Sequence, residues 1–489
     1  MSAIDYHAIL PELILSGTIV VVLIVDVFLP ANRKWLAMPL SFVGVVATLI
    51  AELTLIGSTP RSTFGGTFVV DNFAVLFQLF FLTVAIVVLA ISLRYFREGG
   101  FYQGEYYFLL LTSFLGCMLM PASRDLLMLF ISLELVSAPG FLMAAFRKSD
   151  PLGNEGGLKF FLIGVLSTAV MLFGMSLIYG VTGGETGLSA IASKLTGLPP
   201  EQETLALAAI LFVVVGFAFK VSAFPFQFWA PDTYEGAPVP VAAFLAVASK
   251  AAGFAGLLQL MFVAFIGQWE FWVPIFAFLS IATMTVGNLV ALQQNQVVRL
   301  LAYSGIAQAG YMLLPFALVT NDAVTNKDAF AAAVTYILIY GVMNLGAFAV
   351  ATAVSRRHPL LLIKDFAGLI RTAPLLAVGM TTFMISLAGV PPTGGFWAKI
   401  LIFRVAIDRG GSLGVSLAVI MLVNSVVSIY YYFAVPRQMI FEPAVDESRL
   451  RSPALVTAVV AIAMIAIVAL FVFPTPFADA AGISTLVGG

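Results

Sequence analysis

Fourteen stretches of roughly 20 predominantly apolar residues follow one another along this 489-residue chain, each long enough to cross the ~30 Å hydrocarbon core of a bilayer as a helix. They are expected at about 9–29, 36–57, 72–93, 106–121, 124–146, 158–181, 204–221, 238–266, 270–293, 297–319, 329–354, 373–408, 413–435 and 453–474. The fourth is short, and the twelfth is long and interrupted. No soluble domain fits between them. Composition agrees: 61% of residues are hydrophobic and only 10% are Asp, Glu, Lys or Arg, against about 25% in a soluble globule. The expected fold class is an all-α polytopic membrane protein.

Charge and cysteine counts exclude several function classes. A net charge of −1 offers no basic face for nucleic acid. One cysteine, Cys117, and two histidines, His7 and His358, cannot ligate an iron–sulfur cluster, and they argue against haem or zinc. The first apolar run begins near Ile9, after Asp5 and without a basic segment, so no cleavable signal peptide is expected. Of 24 Lys and Arg, three lie inside spans (Lys220, Lys250, Lys399) and six in the loops after even-numbered spans or beside them (Arg61, Arg124, Lys194, Lys327, Arg404, Arg409). The other fifteen flank the loops after odd-numbered spans, which the positive-inside rule assigns to the cytoplasm, with both termini outside.

Two segments fit poorly as continuous helices: AFPFQFWAPD (223–232) and GVPPTGGFWAKI (389–400). Pro225 matches Pro391 at an offset of 166, Phe228-Trp229-Ala230 matches Phe396-Trp397-Ala398 at 168, and PGFL (139–142) matches AGYM (309–312) at 170. These offsets point to a duplicated unit, spans 4–8 (106–266) and spans 9–13 (270–436). An N-terminal three-helix segment (1–105) precedes the first copy, and a C-terminal helix (453–474) follows the second. Five spans is an odd number, so the copies would sit inverted, each with a discontinuous helix at the same place. Inverted repeats with paired broken helices are a transporter pattern. Proline removes a backbone donor, and Gly394-Gly395 adds freedom.

Ionisable residues at membrane depth are costly, at least ~2.5–3.5 kcal/mol each, and generally face a protein interior or a hydrated cavity. Glu134 lies about ten residues into the fifth span, roughly 15 Å deep. Lys250 lies at similar depth in the eighth, Lys220 precedes the first break, and Lys399 follows the second. A lysine can give up and rebind a proton as its surroundings change, whereas an arginine cannot. A change in Glu134–Lys220 separation would alter the proton affinity of Lys220. Glu12, Asp26 and Glu52, on the first two spans, read as packing or interface groups. Glu155 and Lys159 open the sixth span, Asp232 and Glu235 would hold polar loop groups or water, and His358 is expected in solvent.

With these residues placed, the sequence resembles subunit N of proton-pumping NADH:quinone oxidoreductase (respiratory complex I), an antiporter-like subunit family, over nearly its whole length. The most specific stretch is PFQFWAPDTYEGAPVPVAAFLAVASKAAGF; LPELIL, VVDNFAVLF, GEYYFLLL, RDLLMLFISLELVS and GVPPTGGFWAKI support it. The resemblance implies a bacterial plasma-membrane subunit of a translocase. It would move protons while electrons pass from NADH to quinone in other subunits, which would hold the FMN, iron–sulfur clusters and quinone. This chain would bind no cofactor or metal. By resemblance, Glu134 and Lys220 match the coupling pair, Lys250 the central lysine, and Lys399 the lysine of the exit side, with the K and M subunits as neighbours. Gln227 departs from the histidine common in relatives: it can hydrogen-bond a water chain but cannot titrate. The readings set against this are a stand-alone or Mrp-type cation/proton antiporter and a non-pumping scaffold of the complex.

Overall fold

A computed structural model describes residues 4–99, 103–444, 448–475, 479 and 482. Among these residues, thirteen helices are long and apolar enough to span a membrane, and Pro374–Ala388 is a shorter apolar one. The chain is a multi-pass helical membrane protein. The twelfth run is two helices, Pro374–Ala388 and Gly394–Arg409, and the seventh is Pro200–Lys220 followed by the short helix Trp229–Gly236. The fourth helix, Gln103–Ala122, is longer than its sequence run because Gln103, Gly104 and Glu105 extend it beyond the apolar stretch.

Helix starts follow the short polar residues in the sequence. Asp71, Asp125, Asp150 and Asp322 each stand just before a span and accept hydrogen bonds from backbone N–H groups of its first turn, at 2.9–3.4 Å. A carboxylate at this position satisfies donors that the helix cannot use and complements the positive end of its dipole. Between the second and third spans lie two short antiparallel strands, β1 (Arg61–Thr63) and β2 (Phe68–Val70), with Ser62 opposite Val69. An amphipathic helix, Leu188–Leu195, joins the sixth and seventh spans. Neither element has the length of an apolar run, so span counting passes over both.

The core lies around three helices with almost no exposed face: Val239–Ala264, Val297–Leu313 and Ala323–Ser355. Around them, small residues let backbones approach closely, the usual basis of helix packing in lipid. In the ninth span, Trp269–Ala291, a methyl group on Gly287 would meet the Ala307 backbone nitrogen of the tenth at 2.5 Å. Gly287→Val should therefore lower the apparent Tm of the purified protein, corresponding to about 1–3 kcal/mol of overpacking. Gly17→Ala, where nothing lies within 4 Å, should leave Tm unchanged or slightly raised.

Candidate functional site

Both broken helices end in the same hydrogen-bonded motif. In the first, Ala223 N–H donates to the Ala218 carbonyl (2.8 Å) and Ser222 N–H to that of Phe219 (3.0 Å), with Ser222 left-handed at φ +60. In the second, Val390 N–H donates to Ile385 (3.2 Å) and Gly389 N–H to Ser386 (2.9 Å), with Gly389 left-handed at φ +81. This is the Schellman arrangement, which uses two of the carbonyls a helix leaves free at its end. Pro225 follows the first motif, and Pro391-Pro392 the second, so neither helix can resume at once.

At the second break, Lys399 and Gln308 meet the carbonyls that the motif leaves over. Lys399, 7% exposed, opens the second half of the twelfth span and donates back to the Ala388 carbonyl at 2.9 Å. The adjacent Leu387 carbonyl accepts from Gln308 Nε2, also at 2.9 Å. All four terminal carbonyls of Pro374–Ala388 are thus met within the protein. The Lys399 ammonium also lies 4.7 Å from the centre of the Tyr311 ring, a cation–π contact. Gly389 leaves room for its stem: a Cβ there would meet Lys399 Cδ at 2.6 Å.

Lys220 is the last residue of its helix and is 1% exposed. Its Nζ donates to Ser137 Oγ at 2.8 Å. Ser137 is one turn beyond Glu134 on the fifth span, so the serine stands on the carboxylate's face of that helix. Glu134 lies within electrostatic reach of Lys220, but no ion pair within 4.0 Å joins them. Its buried Oε1 has no hydrogen-bond partner among the described residues. On the other side, Gly253 of the eighth span makes space for Lys220: an added Cβ would meet Lys220 Cγ at 2.8 Å.

Lys250 is one turn before Gly253 and is 2% exposed. It follows a π-helical turn, Leu245–Ser249, and a second one, Leu260–Ala264, comes ten residues later. Lys250 Nζ donates to the Gly305 carbonyl at 2.9 Å and lies 6.0 Å from the Tyr234 ring centre. A Cβ on Gly305 would meet Tyr340 Oη at 3.0 Å and Lys250 Nζ at 3.2 Å, so both groups border the space left by this glycine. Tyr340 in turn accepts from Asn344 Nδ2 at 2.7 Å.

A polar network occupies the ground between Lys250 and Lys399. Gln308, one turn beyond Gly305, accepts from Tyr336 Oη (2.5 Å) and donates to Tyr432 Oη (3.0 Å) and Leu387 O. Tyr431 Oη donates to Asn288 Oδ1 (2.9 Å), and Asn288 Nδ2 donates to Tyr311 Oη (3.2 Å) and Asn424 Oδ1 (3.1 Å). Sequence reading singled out the lysines and missed this cluster. Its signal was present but faint: Gln308, Asn288 and Asn344 are single amides in apolar runs, and tyrosine counts as hydrophobic until its hydroxyl is placed.

The remaining residues are distributed as follows. Gln227 is buried before the helix Trp229–Gly236, and its Oε1 has no partner among the described residues, as is also true of Ser222 Oγ and Tyr234 Oη. Asp232 bonds Lys159 (2.6 Å) and Arg299 (2.7 Å), and Arg299 also bonds Glu235 (2.6 Å). These acids therefore tie the short helix to the sixth and tenth spans rather than to loop groups. Asp26 pairs with Lys34 at 3.1 Å. Among the described residues, no cluster of three or more His, Cys, Asp or Glu could hold a metal.

Residues 123–428 match the family described as NADH:quinone oxidoreductase/Mrp antiporter, transmembrane. The chain is 42% identical to NADH-quinone oxidoreductase subunit N of Trichlorobacter lovleyi, over 91% of this chain and 89% of that protein. It is 40% identical to the subunit N of Anoxybacillus flavithermus, over 96% and 95%. A chain of respiratory complex I from Thermus thermophilus superposes with a TM-score of 0.79 at 30% identity, covering 97% of this chain and 99% of that one. A chain of the Mrp complex from Dietzia sp. reaches 0.85 over 98% and 97%, but at 19% identity it speaks to the fold alone. Coverage this complete, at this identity, places the chain in the subunit N family of the NADH-quinone oxidoreductases.

Proposed function

We propose that this chain translocates protons as a membrane subunit of an NADH:quinone oxidoreductase complex, coupled to electron transfer in other subunits. One observation carries the reading: Lys220, Lys250 and Lys399 are all buried, and side-chain contacts and hydrogen bonds link their surroundings in series. Lys220 touches the eighth span one turn from Lys250. Lys250 bonds Gly305, Gln308 follows one turn later, and Gln308 bonds the carbonyl beside the one held by Lys399. Protons enter near the first break, pass from Lys220 to Lys250, and leave through Lys399. Glu134 acts on Lys220 by its distance, with Ser137 as the alternative partner for the ammonium.

Spans 4–8 and 9–13 are read as inverted repeats. The left-handed residues of the two breaks, Ser222 and Gly389, stand 167 residues apart, in line with the sequence offsets, and this supports the duplication. From the lysine and arginine bias, the loops after odd spans are read as cytoplasmic in a bacterial cell, and both termini as outside. FMN, iron–sulfur clusters and quinone belong to partner subunits, and the neighbours in the membrane are the K and M subunits.

The decisive experiment uses the assembled complex in sealed vesicles, with NADH oxidation and proton uptake recorded together. In Lys220→Ala, both should fall about tenfold or more with assembly intact, the scale of losing a proton-transfer group. Unchanged rates and stoichiometry in Lys220→Ala and Lys250→Ala would favour a scaffold. Gly253→Ala should also depress both rates, to a lesser degree than Lys220→Ala, because its methyl group displaces the lysine stem without removing the amine.

A further inference from the structure

The N-terminal three-helix segment carries acidic groups outside the lysine axis. Glu12 on the first span, Leu10–Phe28, and Glu52 on the second, Ala37–Leu53, are both buried; Glu52 is 0% exposed. Gln78, on the third span, is directed into this place. Its Nε2 donates to Glu12 Oε1 at 2.6 Å and to the Met118 carbonyl of the fourth span at 3.1 Å. Four buried oxygens there have no hydrogen-bond partner among the described residues: Glu12 Oε2, both carboxyl oxygens of Glu52, and Gln78 Oε1. Glu52 lies within electrostatic reach of Glu12.

Among the described residues no cation pairs with Glu12 or Glu52, and three of the nearby ones have other partners. Arg61 pairs with Asp5 (3.2 Å), Arg124 with Asp71 (2.5 Å), and Lys34 with Asp26 towards the other end of the first span. His7, exposed, bonds Thr54 Oγ1 at 3.0 Å, two residues beyond Glu52, and is the titratable group at the surface end of the second span. Two ionised carboxylates buried together with no cation would cost several kcal/mol each, so the groups are stable there only when protonated or when a small cation joins them.

We propose that Glu12, Glu52 and Gln78 form a second proton-binding site, in which the buried carboxyl groups hold exchangeable protons. Each proton is held covalently by a carboxyl oxygen, so the resting site is neutral. Release from Glu12 is favoured by Gln78, whose N–H stabilises the carboxylate left behind. No redox step is involved, and the site does not depend on the lysine route.

Infrared difference spectra of the purified complex, taken in H2O and D2O, test this directly. The wild type should show a protonated-carboxyl C=O stretch that shifts on deuteration, loses intensity in each of Glu12→Gln and Glu52→Gln, and disappears in the double variant. Gln78→Met should retain the band at a shifted frequency. If a glutamine variant fails to assemble, Gln78→Met and Glu52→Asp still report, because each should move the band rather than abolish it. A band present and unshifted in every variant overturns the proposal. So does a wild-type site with carboxylate bands only, or a band abolished by added Na⁺, which would mark a sodium site. The readout is spectroscopic, so it remains informative even if Lys220→Ala leaves turnover untouched.

Discussion

The hydrogen bond from Lys399 to the Ala388 carbonyl shows the constraint on which the rest of this structure depends. A helix that stops inside a membrane exposes carbonyls that lipid cannot satisfy. Here two are used by the Schellman turn, one by Gln308 and one by Lys399. The charge is thereby placed by a backbone requirement. The same lysine that makes the break tolerable is a proton-exchangeable group at depth, so fold stability and proposed chemistry meet in one side chain.

That dual use explains the surroundings of the lysines. Each has a glycine beside it where a side chain would crowd the lysine, by collision at Gly253 beside Lys220 and Gly389 beside Lys399, and by a tight contact at Gly305 beside Lys250. Only at Gly389 does the backbone itself favour glycine, through its positive φ. At the other two the absent methyl group makes room for a cation. The partners are then neutral: a serine hydroxyl, two carbonyls and the faces of tyrosines. Carboxylates are held back, with Glu134 one turn removed and Asp232 committed to Lys159 and Arg299.

Much of this was legible in the sequence for a physical reason. The cost of desolvation allows few exceptions in a membrane span, so Lys220, Lys250, Lys399 and Glu134 stood out against apolar runs, and prolines marked both interruptions. The pairwise geometry was hidden. Nothing in ISLELVSAPGF says that Lys220 bonds Ser137 rather than Glu134, since both face the same way one turn apart. The tyrosine–amide network was equally hidden, because Tyr311 and Tyr432 contribute apolar rings to periodicity and polar hydroxyls only to a three-dimensional neighbour. Glu12 and Glu52 appeared unrelated until the first and second spans packed together.

The two π turns of the eighth span bear on how its faces are counted. A π turn holds one residue more than the α turn it replaces and is accommodated without breaking the helix. A residue added in α geometry would rotate everything beyond it by about 100°, whereas one absorbed in a π turn shifts the numbering of the faces by one position. Leu245–Ser249 and Leu260–Ala264 therefore bracket a ten-residue segment, Lys250–Gln259, whose faces are numbered one position apart from those of the regular helix before it. For reading periodicity, this means that a helical wheel cannot be carried unbroken through the span, because the count shifts by one position at Leu245–Ser249 and again at Leu260–Ala264. A wheel drawn from Val239 without that shift places Lys250 about 100° away from the side on which it lies.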